Sequence, residues 1–206
     1  MASTYSERYF GKVAEIASAL DYDAVDRIAI GLAKLRAEAG RLFVIGVGGS
    51  AGNSCHAVDD FRKLTGIDAS APTDNASELT ARTNDEGWET VFEGSLQVSN
   101  AGPKDAVLVL SVGGGDPVRG ISANIVRGLD EAKKRGMTIY GFVGRDGGYT
   151  KKVGDEVIVV PTLDPEHVTP LSESFQALIW HCLVFHPSLK LHSGKWESVD
   201  QVQEKV

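Results

Sequence analysis

The chain has 206 residues, 42% of them hydrophobic, and a formal net charge of −7, enough for one substantial core and too little for two full domains. No run approaches the roughly 20 apolar residues that cross a bilayer, and the acidic balance gives no electrostatic reason to bind nucleic acid or an anionic membrane. The opening stretch, Met1 to Arg8, is polar with no signal-peptide core behind it, so a cytoplasmic protein is expected. Cys55 and Cys182 match no zinc or redox spacing, and two reduced, mostly buried thiols are expected.

Ser3 to Leu20 carries Val13, Ile16 and Leu20 at helical spacing. Tyr22 to Ala39 repeats the pattern with Val25, Ile28, Ile30, Leu32 and Leu35 and stops at Gly40, so residues 1–40 read as a segment of two helices ahead of the main domain. The rhythm then changes. Leu42-Phe43-Val44-Ile45-Gly46 is a continuous apolar run, which suits a strand buried on both faces. A helix is expected from about Ala51 to Leu64, then a weaker strand from Ile67 to Ala71. Ala106 to Leu110, Thr138 to Val143 and Val157 to Val160 are further strands; Asn124 to Arg135 and Pro170 to Phe185 are helices. The alternation predicts a doubly wound α/β domain over residues 41–190 with a mainly parallel five-stranded sheet. Residues 191–206 are polar and read as a tail, loosely held or wrapped on a partner.

Two of these strands end in the same kind of turn. The first runs Gly46-Val47-Gly48-Gly49-Ser50 and the second Ser111-Val112-Gly113-Gly114-Gly115. Glycine lets backbone approach an oxyanion, free N–H groups at a helix start point at it, and serine hydroxyls add donors. An acidic chain that takes a phosphate must meet its charge locally in this way. Gly48, Gly49, Ser50, Ser111, Gly113 and Gly114 are therefore candidate phosphate-binding residues. The competing reading is that these glycines only make tight strand-to-helix turns. The first loop is not a dinucleotide fingerprint, because Ala51 stands where the third glycine belongs, and no Gly-Lys-Ser/Thr follows for a P-loop.

Gly46-Val47-Gly48-Gly49-Ser50-Ala51-Gly52-Asn53, followed by His56 and Asp60, resembles the G-N-G-G-S-A-G-D…H…E pattern of phosphoheptose isomerases, within the sugar isomerase (SIS) domain superfamily. Asn84-Asp85 with Gly87 and Phe92 resembles the family's N-D-x-G/S…F stretch. Lys134 to Met137 and Val143 to Gly148 resemble its K-G-M…T-G-K-D-G-G, and Glu173 and His181 fall where it carries Gln and His. The resemblance spans about Tyr5 to Leu189. It implies a flavodoxin-like SIS domain and conversion of sedoheptulose 7-phosphate to D-glycero-D-manno-heptose 7-phosphate. It also implies a homotetramer with active sites at subunit interfaces and N-terminal helices used in assembly. Asn53, Asp85 and Ser122 join the phosphate and sugar contacts on the same ground. There are departures. Val112 to Pro117 replace the middle of the family's S-T-S-G-N-S loop, and an insertion precedes Ser122, which stands for the last serine. Asp60 replaces Glu, and Glu173 replaces Gln.

His56 and Asp60 are four apart on one helix and project from one face. Glu173 and His181 are eight apart on another. Two chemistries fit this set. In one, the groups move protons between C1 and C2 of a sugar through an enediolate; the resemblance gives these roles to Asp60 and His181. In the other, His56, Asp60, Glu173 and His181 ligate Zn²⁺, which polarises the carbonyl. Eight helical residues span about 12 Å, so Glu173 and His181 share a point only by leaning inward or across a subunit boundary. Asp59-Asp60 with Arg62-Lys63 also fits a solvated face with local ion pairs. Asp74, Ser77 and Thr80 line the sugar by resemblance, or else Asp74-Asn75 is a turn and Ser77 a helix cap. His186 and His192 have no expected partners, and His167 precedes the last helix, a position from which it could shape the substrate pocket. Two other functions stay open: a non-catalytic SIS sugar-phosphate binder or assembly factor, and an isomerase of another phosphosugar. Each of the four positions keeps a residue able to ligate metal or transfer a proton, which favours the enzyme.

Overall fold

A computed structural model describes residues 3–199. Its sheet contains β1 (Arg41–Gly46), β2 (Asp68–Ser70), β3 (Ala106–Ser111), β4 (Thr138–Val143) and β5 (Glu156–Val159), all parallel, in the order β2-β1-β3-β4-β5. The helices are α1 (Tyr5–Ser18), α2 (Tyr22–Ala37), α3 (Gly49–Thr65), α4 (Ala76–Asp85), α5 (Val91–Val98), α6 (Ala123–Lys134), α7 (Gly148–Val153) and α8 (Val168–Phe185). From β1 the chain winds outward through α3 to β2; from β3 it winds the other way through α6 and α7. The direction reverses between β1 and β3, so the crevice at their carboxyl ends is the natural ligand site of such a sheet.

The pleat sends alternate residues to opposite faces. Leu42, Val44 and Leu108 enter one core with Ile28 and Leu32 of α2, Phe61 of α3 and Phe175 and Leu183 of α8. Phe43, Ile45, Val107 and Val109 enter a second core with Phe92 of α5 and Ile125 and Leu129 of α6. Covering on both faces is why β1 and β3 read as continuous apolar runs. The N-terminal helices belong to the first core through Ile16, Val25 and Ile28. Thr4 and Glu7 close a capping box on α1, and Asp21 caps α2.

Several expectations need correcting. Helices α5 and α7 were not foreseen, and α4 was expected only through a cap at Ser77; α4 buries no residue and so carries no apolar rhythm. Asn75, not Ser77, caps α4, its Oδ1 accepting from the Glu78 N–H at 3.2 Å. Cys55 is half-buried and Cys182 is exposed, so neither thiol is fully buried. The tail begins tied down, because the Leu191 and His192 N–H groups donate to the Leu64 carbonyl at 2.8 and 3.0 Å. Residues 200–206, the end of that tail, lie outside the described residues.

Asp105 locks the entries of β1 and β3 together. Its carboxylate accepts from the Arg41 N–H at 2.9 Å, the Arg41 guanidinium at 2.7 Å and the Gly102 N–H at 2.9 Å. Burial pushes this carboxyl up, but the bonds from Arg41 and Gly102 outweigh it and hold it below the ordinary range. A folded-state value below the unfolded one gives stability that is present above the unfolded value of about 3.9 and is lost as pH falls through the folded value. Asp105→Asn is therefore expected to cost about 1–3 kcal/mol at pH 7. The gap from the parent should close as pH drops below about 4, read by urea unfolding across pH; a pH-independent gap would refute the assignment.

Candidate active site

The first glycine turn sets the start of α3. Gly48 has φ +64° and ψ −126°, a backbone that side-chain-bearing residues avoid. The Ala51 and Gly52 N–H groups bond back to its carbonyl at 3.0 and 3.2 Å. Gly49 is constrained from outside: a Cβ there would lie 2.4 Å from Glu173 Oε2. The Glu173 carboxylate thus rests on the first turn of α3, where the helix dipole favours negative charge. Ser50 is buried behind it.

Below that turn α3 lies along α8. Both N–H bonds of the Asn53 amide go to α8, to the Glu173 carbonyl and to Gln176 Oε1, each at 2.9 Å. One turn further, His56 and Asp60 meet His181. Asp60 Oδ2 lies 3.6 Å from His56 Nε2 and 3.3 Å from His181 Nε2. The same oxygen accepts from the Trp180 indole N–H at 3.0 Å. Trp180 is fully buried and walls the group, its ring centroid 5.3 Å from His56 and 4.9 Å from His181. The two imidazoles are about half exposed, while the Asp60 side chain is only 15% exposed. Solvent or a bound sugar reaches the imidazoles; the carboxylate is shielded and oriented from behind.

The donor set suits zinc. One ligand atom from each of His56, Asp60 and His181 lies within 4.8 Å of the others. Bonds of about 2.0–2.2 Å in a tetrahedral site put ligand atoms about 3.3–3.6 Å apart, which matches both Asp60–His separations. Three protein ligands leave a fourth position open, the catalytic arrangement. Glu173 stands outside this group, against Gly49. The eight-residue separation on α8 is not bridged within the chain.

The second loop is built differently. The Ser111 hydroxyl oxygen accepts from the Gly114 N–H at 3.0 Å. The Gly114 carbonyl accepts from the Thr150 N–H and hydroxyl at 2.9 and 2.8 Å, and the Gly115 carbonyl from the Tyr149 N–H at 2.8 Å. The loop is therefore seated on the first turn of α7. Gly113 is half-buried with nothing near its Cβ position. Ser122, at φ +51°, precedes α6 and makes no cap bond through its side chain. Beside it the buried Asn124 amide nitrogen has no partner. Unspent donors thus gather at the start of α6.

Asp85 ends α4, exposed, accepting from the Asn84 amide at 2.7 Å. Among the described residues no hydrogen bond or ion pair joins it to another candidate site residue. His167 joins Tyr5 at 3.0 Å and Asp164 at 2.8 Å, tying α1 to the start of α8. His186, expected without a partner, lies 3.3 Å from Asp26. The sequence reading passed over Trp180, Gln176 and Asn124. The available signal was Trp180 beside His181, since a buried indole N–H usually finds a partner.

No protein-family model matches the chain. The phosphoheptose isomerase of a Nitratiruptor species is 36% identical over 148 residues, 69% of this chain and 73% of its own. That of Helicobacter pylori is 32% identical over 149 residues, 70% of this chain and 72% of its own. The solved structure of the phosphoheptose isomerase from Neisseria gonorrhoeae superposes with a TM-score of 0.73 at 25% identity, covering 88% of this chain and 97% of that one. With a shared fold and relatives of this similarity along most of its length, the chain belongs to the phosphoheptose isomerase family.

Proposed function

We propose that the chain interconverts sedoheptulose 7-phosphate and D-glycero-D-manno-heptose 7-phosphate at the junction of α3 and α8. The observation that carries this reading is the meeting of His56, Asp60 and His181 around one carboxylate oxygen. Ketose-to-aldose conversion removes a proton from C1, forms an enediolate and returns a proton to C2. A proton also passes from the C1 hydroxyl to the C2 oxygen, which leaves the new carbonyl at C1. Asp60 is the carbon base, oriented by the Trp180 indole N–H. The half-exposed His181 carries the proton between the two oxygens. His56, Asp60 and His181 are the residues that would hold zinc, with Glu173 completing the set only across a subunit boundary. A bound zinc ion would supply Lewis-acid polarisation of the carbonyl.

Charge favours one place for the phosphate. The Glu173 carboxylate already occupies the approach to the α3 terminus, so a second anion is disfavoured there. The start of α6, with Ser122 and the unpartnered Asn124 amide, and the Ser111–Gly114 turn fit it better. Gly48, Gly49 and Ser50 then border the sugar. Assembly as a homotetramer is supported by apolar side chains left in solvent on α1, α2 and α8: Phe10, Ile30, Leu178 and Phe185. Among the described residues no helix is long and apolar enough to cross a membrane. A phosphorylated substrate and two unpaired thiols fit a cytoplasmic location.

The test incubates the purified protein with sedoheptulose 7-phosphate and follows aldose formation, with chelator and after zinc is restored. Turnover that chelator abolishes and zinc recovers is expected. A chelator-insensitive rate would remove the metal from the reading. Tight binding without turnover would make the chain a sugar-phosphate-binding module.

A further inference from the structure

The insertion between Ser111 and Ser122 builds a feature that isomerisation does not use. Asp116 and Ile121 pair as an antiparallel bridge, with N–H to carbonyl distances of 2.9 and 3.0 Å. Asp116 Oδ1 accepts from the Val118 and Arg119 N–H groups at 2.9 and 3.0 Å, and its Oδ2 meets Arg119 Nε at 2.5 Å. The insertion is thus a closed loop standing beside α7. Between them lies a cavity of about 240 Å³ whose lining includes Arg119, Arg145 and Lys152.

The charges there are unevenly satisfied. Asp116 is taken by Arg119, and Asp146 accepts from the Gly148 N–H at 3.2 Å. Among the described residues no carboxylate lies within ion-pair distance of Arg145 or Lys152. Two unpartnered cations in one cavity stand out in a chain of net charge −7. Arg145 is also held in the left-handed region at φ +54°, its N–H donating to Thr162 Oγ1 at 3.1 Å. Side-chain-bearing residues avoid that conformation. The N–H groups of Gly147, Gly148, Tyr149 and Thr150 are all spent on protein acceptors, so recognition falls to side chains. The cavity lies apart from the reacting groups and adjoins, without coinciding with, the place proposed for the substrate phosphate. It opens at the ends of β3 and β4, on the face of the sheet covered by α6 and α7, whereas His56, Asp60 and His181 sit on the α3 and α8 face. It shares only Gly113 with the candidate phosphate residues.

We propose that this cavity is a second anion site, which takes the phosphate group of a small phosphorylated molecule between Arg145 and Lys152. Arg119 closes the anion from the insertion side. Pro117, Val118 and Ile121 give the body of the ligand an apolar wall.

The probe is inorganic phosphate, titrated into the full chain and followed at backbone amides by NMR, with affinity measured by calorimetry. Saturable shifts are expected at residues 116–121 and 145–152, as a set distinct from those at Ser111 and Ser122–Asn124. The double variant Arg145→Asn, Lys152→Gln is expected to weaken the first set by about tenfold or more and leave the second unchanged. Asn is chosen because it tolerates the left-handed backbone. Should circular dichroism show that variant unfolded, Lys152→Gln alone, on an exposed face of α7, carries the test with a smaller loss of affinity. Shifts confined to the Ser111 and Ser122 set, or equal affinity in a folded variant, would overturn the proposal. The readout is binding at named amides, so an absence of isomerase activity leaves it standing.

Discussion

Asp60→Asn is expected to lower turnover of sedoheptulose 7-phosphate by about 10²–10⁴-fold with the fold intact. The substitution is nearly isosteric. Its amide oxygen still accepts from the Trp180 indole, which now approaches Asp60 Oδ2 at 3.0 Å. What it loses is the negative charge between two imidazoles 3.6 and 3.3 Å away, and with it a base for C1 and an anionic zinc ligand. The side chain lies at the α3–α8 junction outside the hydrophobic core, so thermal stability should change by only about 1 kcal/mol. Asp60→Glu is the informative partner. It restores a carboxylate one methylene longer, the residue type of the family pattern, and should retain more turnover than Asn. If the Asn variant runs within about tenfold of the parent with an unchanged melt, below the usual contribution of a general base, Asp60 is not the proton-transfer group. A large loss of melting temperature would instead make its role structural.

The sheet was legible in the sequence because both of its faces are covered. A strand buried on two sides has no polar positions to interrupt it, and Thr138–Val143 emerges with its observed limits. Helices with an apolar stripe were legible for the related reason that period 3.6 survives where one face is buried. The elements missed lack that signal or are too short to repeat it: α5 buries Val91, Phe92 and Leu96 but spans only 8 residues. Helix α4 buries nothing, and α7 spans only 6 residues. The pairing of His56 with Asp60 follows from i, i+4 spacing alone. Their meeting with His181 joins residues 121 and 125 positions apart along the chain and depends on how α3 packs on α8, which no local pattern encodes; the resemblance supplied it. The same packing explains the residue that did not join. Asn53 and Gln176 pin the two helices together, which leaves Glu173 two turns up α8 from His181 and against Gly49. The extra loop closed by Asp116 and Ile121 was visible as an insertion, but its seat on α7 was not, because it rests on carbonyl groups rather than on side-chain identity.

That seat gives the second large expected effect. Gly114→Ala should destabilise the chain by about 3–5 kcal/mol, whereas Gly113→Ala, one residue away, should change stability by only about 0.5 kcal/mol. Gly114 has φ +69°, where a side chain costs about 1–2 kcal/mol. A Cβ at that position would also fall 2.0 Å from the Gly147 carbonyl oxygen. That obstacle is backbone at the start of α7 and cannot rotate away. The loop must lift, and lifting breaks the bonds from the Thr150 N–H, the Thr150 hydroxyl and the Tyr149 N–H, each worth about 0.5–1.5 kcal/mol. Gly113 has no positive φ and no atom within 4 Å of its Cβ position, so a methyl group there meets open space. The pair separates two explanations for a glycine run after a strand. If glycine serves only to let an anion approach, both variants lose phosphate affinity and both keep their stability. If the run also clamps the loop to α7, only the 114 variant melts early, and it loses the anion cavity beside α7 as well. Equal melting curves for the two variants would show that the contact with Gly147 does not hold the loop.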